Sequence, residues 1–470
     1  MSLTEKSSQK HVAVLPFPFG SHPVPLLNLV RKLARAAPDV RFSFINTAKS
    51  NRSLFSAAKA DVAFPPNIKA YDVDDGMPAG HVLSQNPLEE VELFLNDFPA
   101  DNIKRGIEAA VAETGKSISY LFSDAFLTFA GDVAESFHAA WIPVWLSLPC
   151  SLSAHVYTDL LRKRYSSNGV GAGARRKDED GTLEFIPGLS AMRVSDLPEE
   201  VLVPENQEES LFSRALAQTG LVLPRATAVV INFCEELNPP LLNQDLETKL
   251  GKVLNVGFLT ISLPPPPLPP SSSDLTGCLS WLDERKARSV AYVSFGTTAY
   301  LPHKELTAIA EALEASGIPF LWSLKDNMKE LLPGKFLEKT SSRGKIVAWT
   351  NQTQVLAHTS IGVFVTHCGC NSVYESMAFG VPMIGRPFFG DQRMTGRLVE
   401  EVWKTGLIVE GGKLTKGGLL KSLELILDHE IGKEMREKAQ SLKDIVHRAA
   451  SPGGRATRDF SNLVELISAS

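Results

Sequence analysis

The chain has 470 residues, is 44% hydrophobic and carries a formal charge of −5 at pH 7. That length can build more than one domain core, and the mild acidity gives no electrostatic reason to expect nucleic acid or an anionic membrane as a partner. Five scattered cysteines argue against a disulfide framework, the most apolar run (139–149) is short and broken by Pro143, and the polar start MSLTEKSSQK has no signal core, so a cytosolic protein is expected.

In chain order, HVAVL at 11–15 and RFSFI at 41–45 are compact apolar runs that predict strands. Between them Leu26, Val30, Leu33 and Ala34 recur at helical spacing, so the opening is a βαβ unit. The connecting turn, PFPFGSH at 16–22, has one glycine and lacks the G-x-G-x-x-G fingerprint, which disfavours a nicotinamide or flavin cofactor. In an open α/β sheet the loops after strand C-termini face the ligand crevice, which puts His22 where a base is useful. A lone loop histidine is otherwise simply solvated. YDVDDG at 71–76 looks like a metal-binding D-x-D but reads as a polar loop. YLFSDA at 120–125 is another strand-like run ending at Asp124, whose plain alternative is an N-cap or turn residue. AWIPVWLSLPCSLS at 140–153 continues the first core. Residues 166–182 are glycine-rich and then charged, which fits a surface loop. SLPPPPLPPSSSD at 262–274 is the clearest linker.

The second half restarts the pattern, with a strand over 289–295, a turn at 296–298 and a helix over 304–316 closed by Gly317. The richest stretch then follows, WTNQTQVLAHTSIGVFVTHCGCNSVYESMAFGVPMIGRPFFGDQ at 349–392. Its centre predicts a strand ending at Thr366, a small, polar turn over His367, Cys368, Gly369, Cys370, Asn371 and Ser372, and a helix over 373–378 that ends at Gly380, just before Pro382. Such a turn collects unpaired N–H groups and the positive end of a helix dipole, a site for phosphate. His367 offers a proton or a charge, and Asn371 and Ser372 are neutral donors. The bland alternative makes Ser372-x-x-Glu375 only a capping box. His367, Cys368 and Cys370 are metal-ligand types, but no second pair stands at zinc spacing, so no metal is expected. Trp349 offers an indole for stacking, and Asp391 with Gln392 can read several sugar hydroxyls.

The run from Trp349 to Gln392 resembles the signature box of plant secondary-product UDP-glycosyltransferases. The resemblance implies that Trp349 stacks on uracil with Thr350 beside it, that Gln352 and Ser323 hold the nucleoside, and that Glu375 binds ribose. It further implies that Thr297, His367, Asn371 and Ser372 hold the diphosphate, while Asp391 and Gln392 bind the sugar, a terminal Gln usually accompanying glucose. Three positions depart from the common pattern: Thr350 and Asn351 replace Ala-Pro, which alters loop stiffness, and Cys370 replaces Trp beside the sugar. The first segment, PFPFGSHPVPLL, is similar to the family's stretch carrying its catalytic histidine, which maps to His22. The paired acid maps to Asp124. Phe126, His155, Leu88 and Phe389 map to the acceptor pocket, where core packing is the plain alternative for the phenylalanines and the histidine. Leu146 stands where many members carry a sugar-contacting hydroxyl, with Ser147 beside it.

The resemblance implies a GT-B fold, two Rossmann-like α/β domains facing across a cleft. The expected divisions are 1–257, a linker 258–275, a donor domain 276–450 and a returning helix 451–470. PFPFGSH, SLSAHVYTD and RPFFGDQ look closest to flavonoid 3-O-glucosyltransferases. The implied reaction is inverting, metal-independent glucosyl transfer from UDP-glucose to a flavonol, an anthocyanidin or another small phenol, by a monomer needing no cofactor. Three rival readings make different demands: a silent binding protein would be expected to lose the His–Asp pair, an oxidoreductase would show the glycine fingerprint, and a nucleotide-sugar epimerase would need no acceptor.

Overall fold

The computed structural model describes residues 10–57, 64–77, 87–97, 100–165, 181–203, 208–270, 273–296 and 300–469. Thr297 and most of the 166–182 loop lie outside them.

The first half forms a seven-stranded parallel sheet from β1 (His11–Leu15), β2 (Arg41–Thr47), β3 (Ile68–Val73), β4 (Tyr120–Asp124), β5 (Ala140–Trp145), β6 (Val229–Ile231) and β7 (Val253–Asn255). Its order is β3-β2-β1-β4-β5-β6-β7. The second half forms a six-stranded sheet from β8 (Val290–Ser294), β9 (Phe320–Ser323), β10 (Gly344–Val347), β11 (Ile361–Thr366), β12 (Met383–Gly385) and β13 (Gly406–Ile408). Its order is β10-β9-β8-β11-β12-β13, and all the ladders are parallel. Parallel sheets need both faces covered, and the strand sequences comply: β1, β8 and β11 are buried along their whole length. Helix Pro23–Ala36 starts with Pro in its first turn and buries Leu26, Val30, Leu33 and Ala34. Helix His303–Ser316 repeats the device with Leu306, Ile309, Ala310 and Leu313, and ends on left-handed Gly317.

In each sheet the strand order reverses beside the first strand, between β1 and β4 and again between β8 and β11. These are the switch points at which α/β sheets open a ligand crevice. The loops at the two switch points meet: Asn371, beyond β11, donates to Ser21 Oγ, beyond β1, at 3.1 Å. The sheets therefore face each other through their strand C-termini, the GT-B arrangement. Core packing also spans the halves, with Phe258 stacked on Tyr374 at 4.4 Å. Helix Arg455–Ser468 lies against the first sheet, where Leu463 and Ile467 join the core of β1 and β2. Asp459 accepts from the Asn255 amide at 2.9 Å, and Tyr120 donates to the Leu466 carbonyl at 2.6 Å.

One expectation needs correction. Residues 71–73 are not loop but the end of β3, because β2 supplies a complete parallel partner there. Asp72 accepts from Asn51, and Asp74 and Asp75 accept from the amides of Gly76 and Met77, so these carboxylates are occupied as turn and strand-end acceptors. Among the described residues, no helix is long and apolar enough to cross a membrane.

Candidate active site

His22 is the last residue before helix Pro23–Ala36 and Asp124 is the last residue of β4, so the two strands flanking the first switch point deliver both. His22 Nδ1 lies 2.7 Å from Asp124 Oδ2. Asp124 is buried and its other oxygen accepts from the Phe126 amide at 3.0 Å, which fixes the carboxylate plane. An N–H on Nδ1 donating to this carboxylate leaves the Nε2 lone pair free, the orientation a general base requires. Burial works against a charged imidazole, but the charge and hydrogen bond of Asp124, helped by the charge of Asp391, outweigh it and raise the His22 pKa above its ordinary value.

Aromatic rings surround this histidine. Phe126 lies 4.7 Å and Phe17 5.3 Å from its ring, and Phe17 in turn packs on Phe94 and stacks on Phe212. Phe126 is thus in direct contact with the His22 ring. His155 lies one layer back behind Trp145, and burial lowers its pKa to about 4, so it is a neutral second-layer residue. Phe389 is 42% exposed on the opposite half. Leu88 falls in helix Pro87–Asp97, but its side chain is outside the described set. Phe17, Phe94 and Phe212 were not singled out from the sequence. Phe17 had a signal in the PFPF motif; the other two come from separate helices with no local motif. A cavity of about 530 Å³ opens beside Phe19, Gly20, Val24, Thr47, Met77 and Phe94. His22 does not line it, and the His22–Asp124 geometry, rather than this cavity, locates the chemistry.

Across the cleft the turn after β11 is built around His367. Gly369 and Gly296 both press on its ring: a Cβ at Gly369 would stand 2.3 Å from Nε2, and one at Gly296 2.8 Å from Cε1. Gly296 also has φ +70°, and Cys368 is left-handed at φ 62°. Burial lowers the His367 pKa to about 4, so of the two expected contributions, a proton or a charge, its surroundings favour the neutral imidazole. Helix Cys370–Phe379 begins after N-cap Gly369, with no side-chain cap. Ser372 and Glu375 therefore lie inside the helix and form no capping box. Both bind Gln352 instead, which donates to Ser372 Oγ at 2.9 Å and Glu375 Oε2 at 2.7 Å while accepting from Tyr292 at 3.2 Å. Burial raises Glu375 to about 7 against the opposing Gln352 bond.

Ser323 ends β9, and Trp349, 65% exposed, follows β10, so both stand at strand C-termini beside this network. Thr350 is buried next to it. Asn351 has a role proline could not fill, accepting from the Gln354 amide at 3.3 Å as N-cap of helix Gln352–Ala357. Gln392 Oε1 accepts from the Phe388 amide at 2.8 Å, closing the turn that presents Asp391. Leu146 is buried in the core; Ser147, one residue on, reaches the cleft and donates to Asp391 Oδ2. Cys370 donates to the same oxygen at 3.1 Å and lies 3.0 Å from Ser147. Burial, then the charge of Asp391, hold the Cys370 thiol well above the usual thiol range, so it stays protonated as a donor. The structure thus brings His22, Asp124 and Phe126 together on one face. It brings Gln352, Ser372 and Glu375 together on the other, with Asn371 and Asp391 linking the two.

The family model "UDP-glucoronosyl and UDP-glucosyl transferase" matches residues 274–448. An anthocyanidin 3-O-galactosyltransferase of Rhododendron delavayi is 50% identical over 98% of both chains. An anthocyanidin 3-O-glucosyltransferase of Vitis vinifera is 47% identical over 99% of both. A crystal structure of a UDP-glucose:anthocyanidin 3-O-glucosyltransferase in complex with UDP superposes with a TM-score of 0.90 at 48% identity, covering 99% of this chain and 100% of that one.

Proposed function

The chain belongs to the UDP-glucoronosyl and UDP-glucosyl transferase family and is a UDP-glycosyltransferase; on that premise we propose that it transfers glucose from UDP-glucose to the 3-hydroxyl of an anthocyanidin or flavonol. The observation that carries the reading is the His22–Asp124 pair at 2.7 Å, ringed by aromatic side chains and directly opposite the turn that follows β11. The acceptor lies against Phe17 and Phe126 with its hydroxyl at His22 Nε2. That nitrogen takes the proton as the oxygen attacks the anomeric carbon, and the bond from that carbon to the UDP oxygen breaks on the far side, with inversion. Asp124 holds the ring and stabilises the imidazolium. A phenol suits this base because its proton leaves far more easily than an alcohol's.

On the donor side Trp349 stacks on uracil, with Thr350 and Ser323 at its edge, and Gln352 and Glu375 hold the ribose and nucleoside. Asn371, Ser372, His367, Thr297 and the start of helix Cys370–Phe379 receive the charge that develops on the leaving diphosphate. The scheme assigns no metal and no cofactor, and the enzyme acts as a cytoplasmic monomer. Asp391 and Gln392 hold the sugar. Glucose is favoured by Gln392, while the galactosyltransferase name of the Rhododendron relative makes galactose the alternative to test.

The test is UDP release from UDP-glucose and from UDP-galactose, with and without an anthocyanidin, a flavonol or a simple phenol, in the presence of EDTA. Acceptor-dependent release that persists in EDTA and is faster with UDP-glucose is expected. Release without acceptor would point to hydrolysis or epimerisation, and no release with any acceptor would contradict the proposal.

A further inference from the structure

The turn that carries Asp391 and Gln392 belongs to the second half, yet it is held largely by the first. Asp196 grips Arg397 through two bonds, Oδ2 to Nε at 2.9 Å and Oδ1 to Nη2 at 3.2 Å. Glu199 accepts from the Gly390 amide at 2.8 Å with one oxygen and pairs with Arg393 at 2.8 Å with the other. These bonds bracket the turn at both ends, and Ser147 meets Asp391 between them.

The gripping segment is itself rigid. Asp196 accepts from the Arg193 amide at 2.9 Å, closing its own turn. Arg162 donates to the carbonyls of Glu200 and Val201, both at 3.0 Å, and Leu197 and Val201 are buried in the core. A planar guanidinium held by both carboxylate oxygens fixes orientation as well as distance. The Asp196–Arg397 pair is also shielded from solvent, with side-chain exposures of 9% and 16%, so it is more than an exposed surface pair.

We propose that Asp196 and Glu199 are positioning residues for the donor sugar, setting the turn 390–397 from the opposite half so that sugar recognition depends on the alignment of the two halves. The proposal rests on the reading that Asp391 and Gln392 hold the sugar. It separates two parts of one ligand: the uridine diphosphate is held by groups of the second half, whereas the sugar is held by a turn that the first half sets.

Binding of UDP and of UDP-glucose to the full-length wild type, Asp196→Asn, Glu199→Gln and the double variant would be measured by titration calorimetry, alongside KM and kcat. In the double variant the Kd for UDP-glucose should rise about tenfold, the scale for losing hydrogen bonds to charged groups, while the Kd for UDP stays within about twofold. Glu199 is half-exposed and its single variant should fold normally, giving a smaller shift of the same pattern. A merely structural role would weaken both ligands together or neither, and either result overturns the proposal. If Asp391→Asn bound UDP-glucose as tightly as wild type, the reading of Asp391 and Gln392 would fail instead, and the positioning role with it.

Discussion

His22 and His367 both stand in loops beside a switch point, His22 after β1 and His367 after β11, the counterpart of β4, and their surroundings tune them in opposite directions. Asp124 lies against His22 and raises its pKa despite burial. His367 has no carboxylate among the causes of its shift, two glycines press on its ring, and burial alone lowers it to about 4. The surroundings of one imidazole thus favour its protonated form, and those of the other its neutral form. The switch points set where these residues stand, and the neighbouring charge sets which protonation state each favours.

Substitutions can break that contrast, beginning with the largest effect. Replacing His22 with Ala should cost about 10²–10⁴ in kcat while leaving the Kd for UDP unchanged, as read by steady-state kinetics and calorimetry. Loss of UDP binding would mean that His22 belongs to the donor site. Asp124→Asn should lower kcat/KM by roughly 10²–10⁴, because the imidazolium loses its counter-charge and the ring its orienting acceptor. On the other side, Gly369→Ala drives a methyl into the His367 ring and should weaken UDP binding about tenfold, the scale for lost hydrogen bonds to a charged group, with kcat less affected. The smallest expected effect is that of Asn351→Ala, which removes a helix cap and should cost about 1 kcal/mol in a denaturant titration, with activity changed only slightly.

The two sides also differ in how far the sequence exposes them. The donor face is nearly one contiguous stretch, because a strand, a turn and a helix that cradle a phosphate must follow one another in the chain. Its residues could therefore be read together, although the helix starts earlier than expected, at Cys370, and the bland alternative of a Ser372–Glu375 capping box is not formed: both residues attach to Gln352, which lies 20 and 23 residues earlier. The acceptor face is assembled from the β1 loop, the end of β4 and two distant helices. His22, Asp124 and Phe126 carried a local signal, as did Phe17 within PFPF, whereas Phe94 and Phe212 meet Phe17 through tertiary packing alone. Asp196 and Glu199 were invisible for the same reason, since nothing near position 196 points to a partner 201 residues away. Ser147 shows the intermediate case. The sequence marked it beside Leu146, and the fold shows that the hydroxyl reaching the cleft has moved on by one residue.

The most direct test of the central claim, that Asp124 prepares His22 as the base, is the pH dependence of kcat/KM for the acceptor in wild type and in Asp124→Asn. His22 must be neutral to act, so activity should fall on the acid side through a pKa above the ordinary 6.5 of histidine in wild type. In Asp124→Asn burial is no longer opposed by the carboxylate, and that limb should shift to lower pH. An acid limb at the same pH in both proteins would contradict the account.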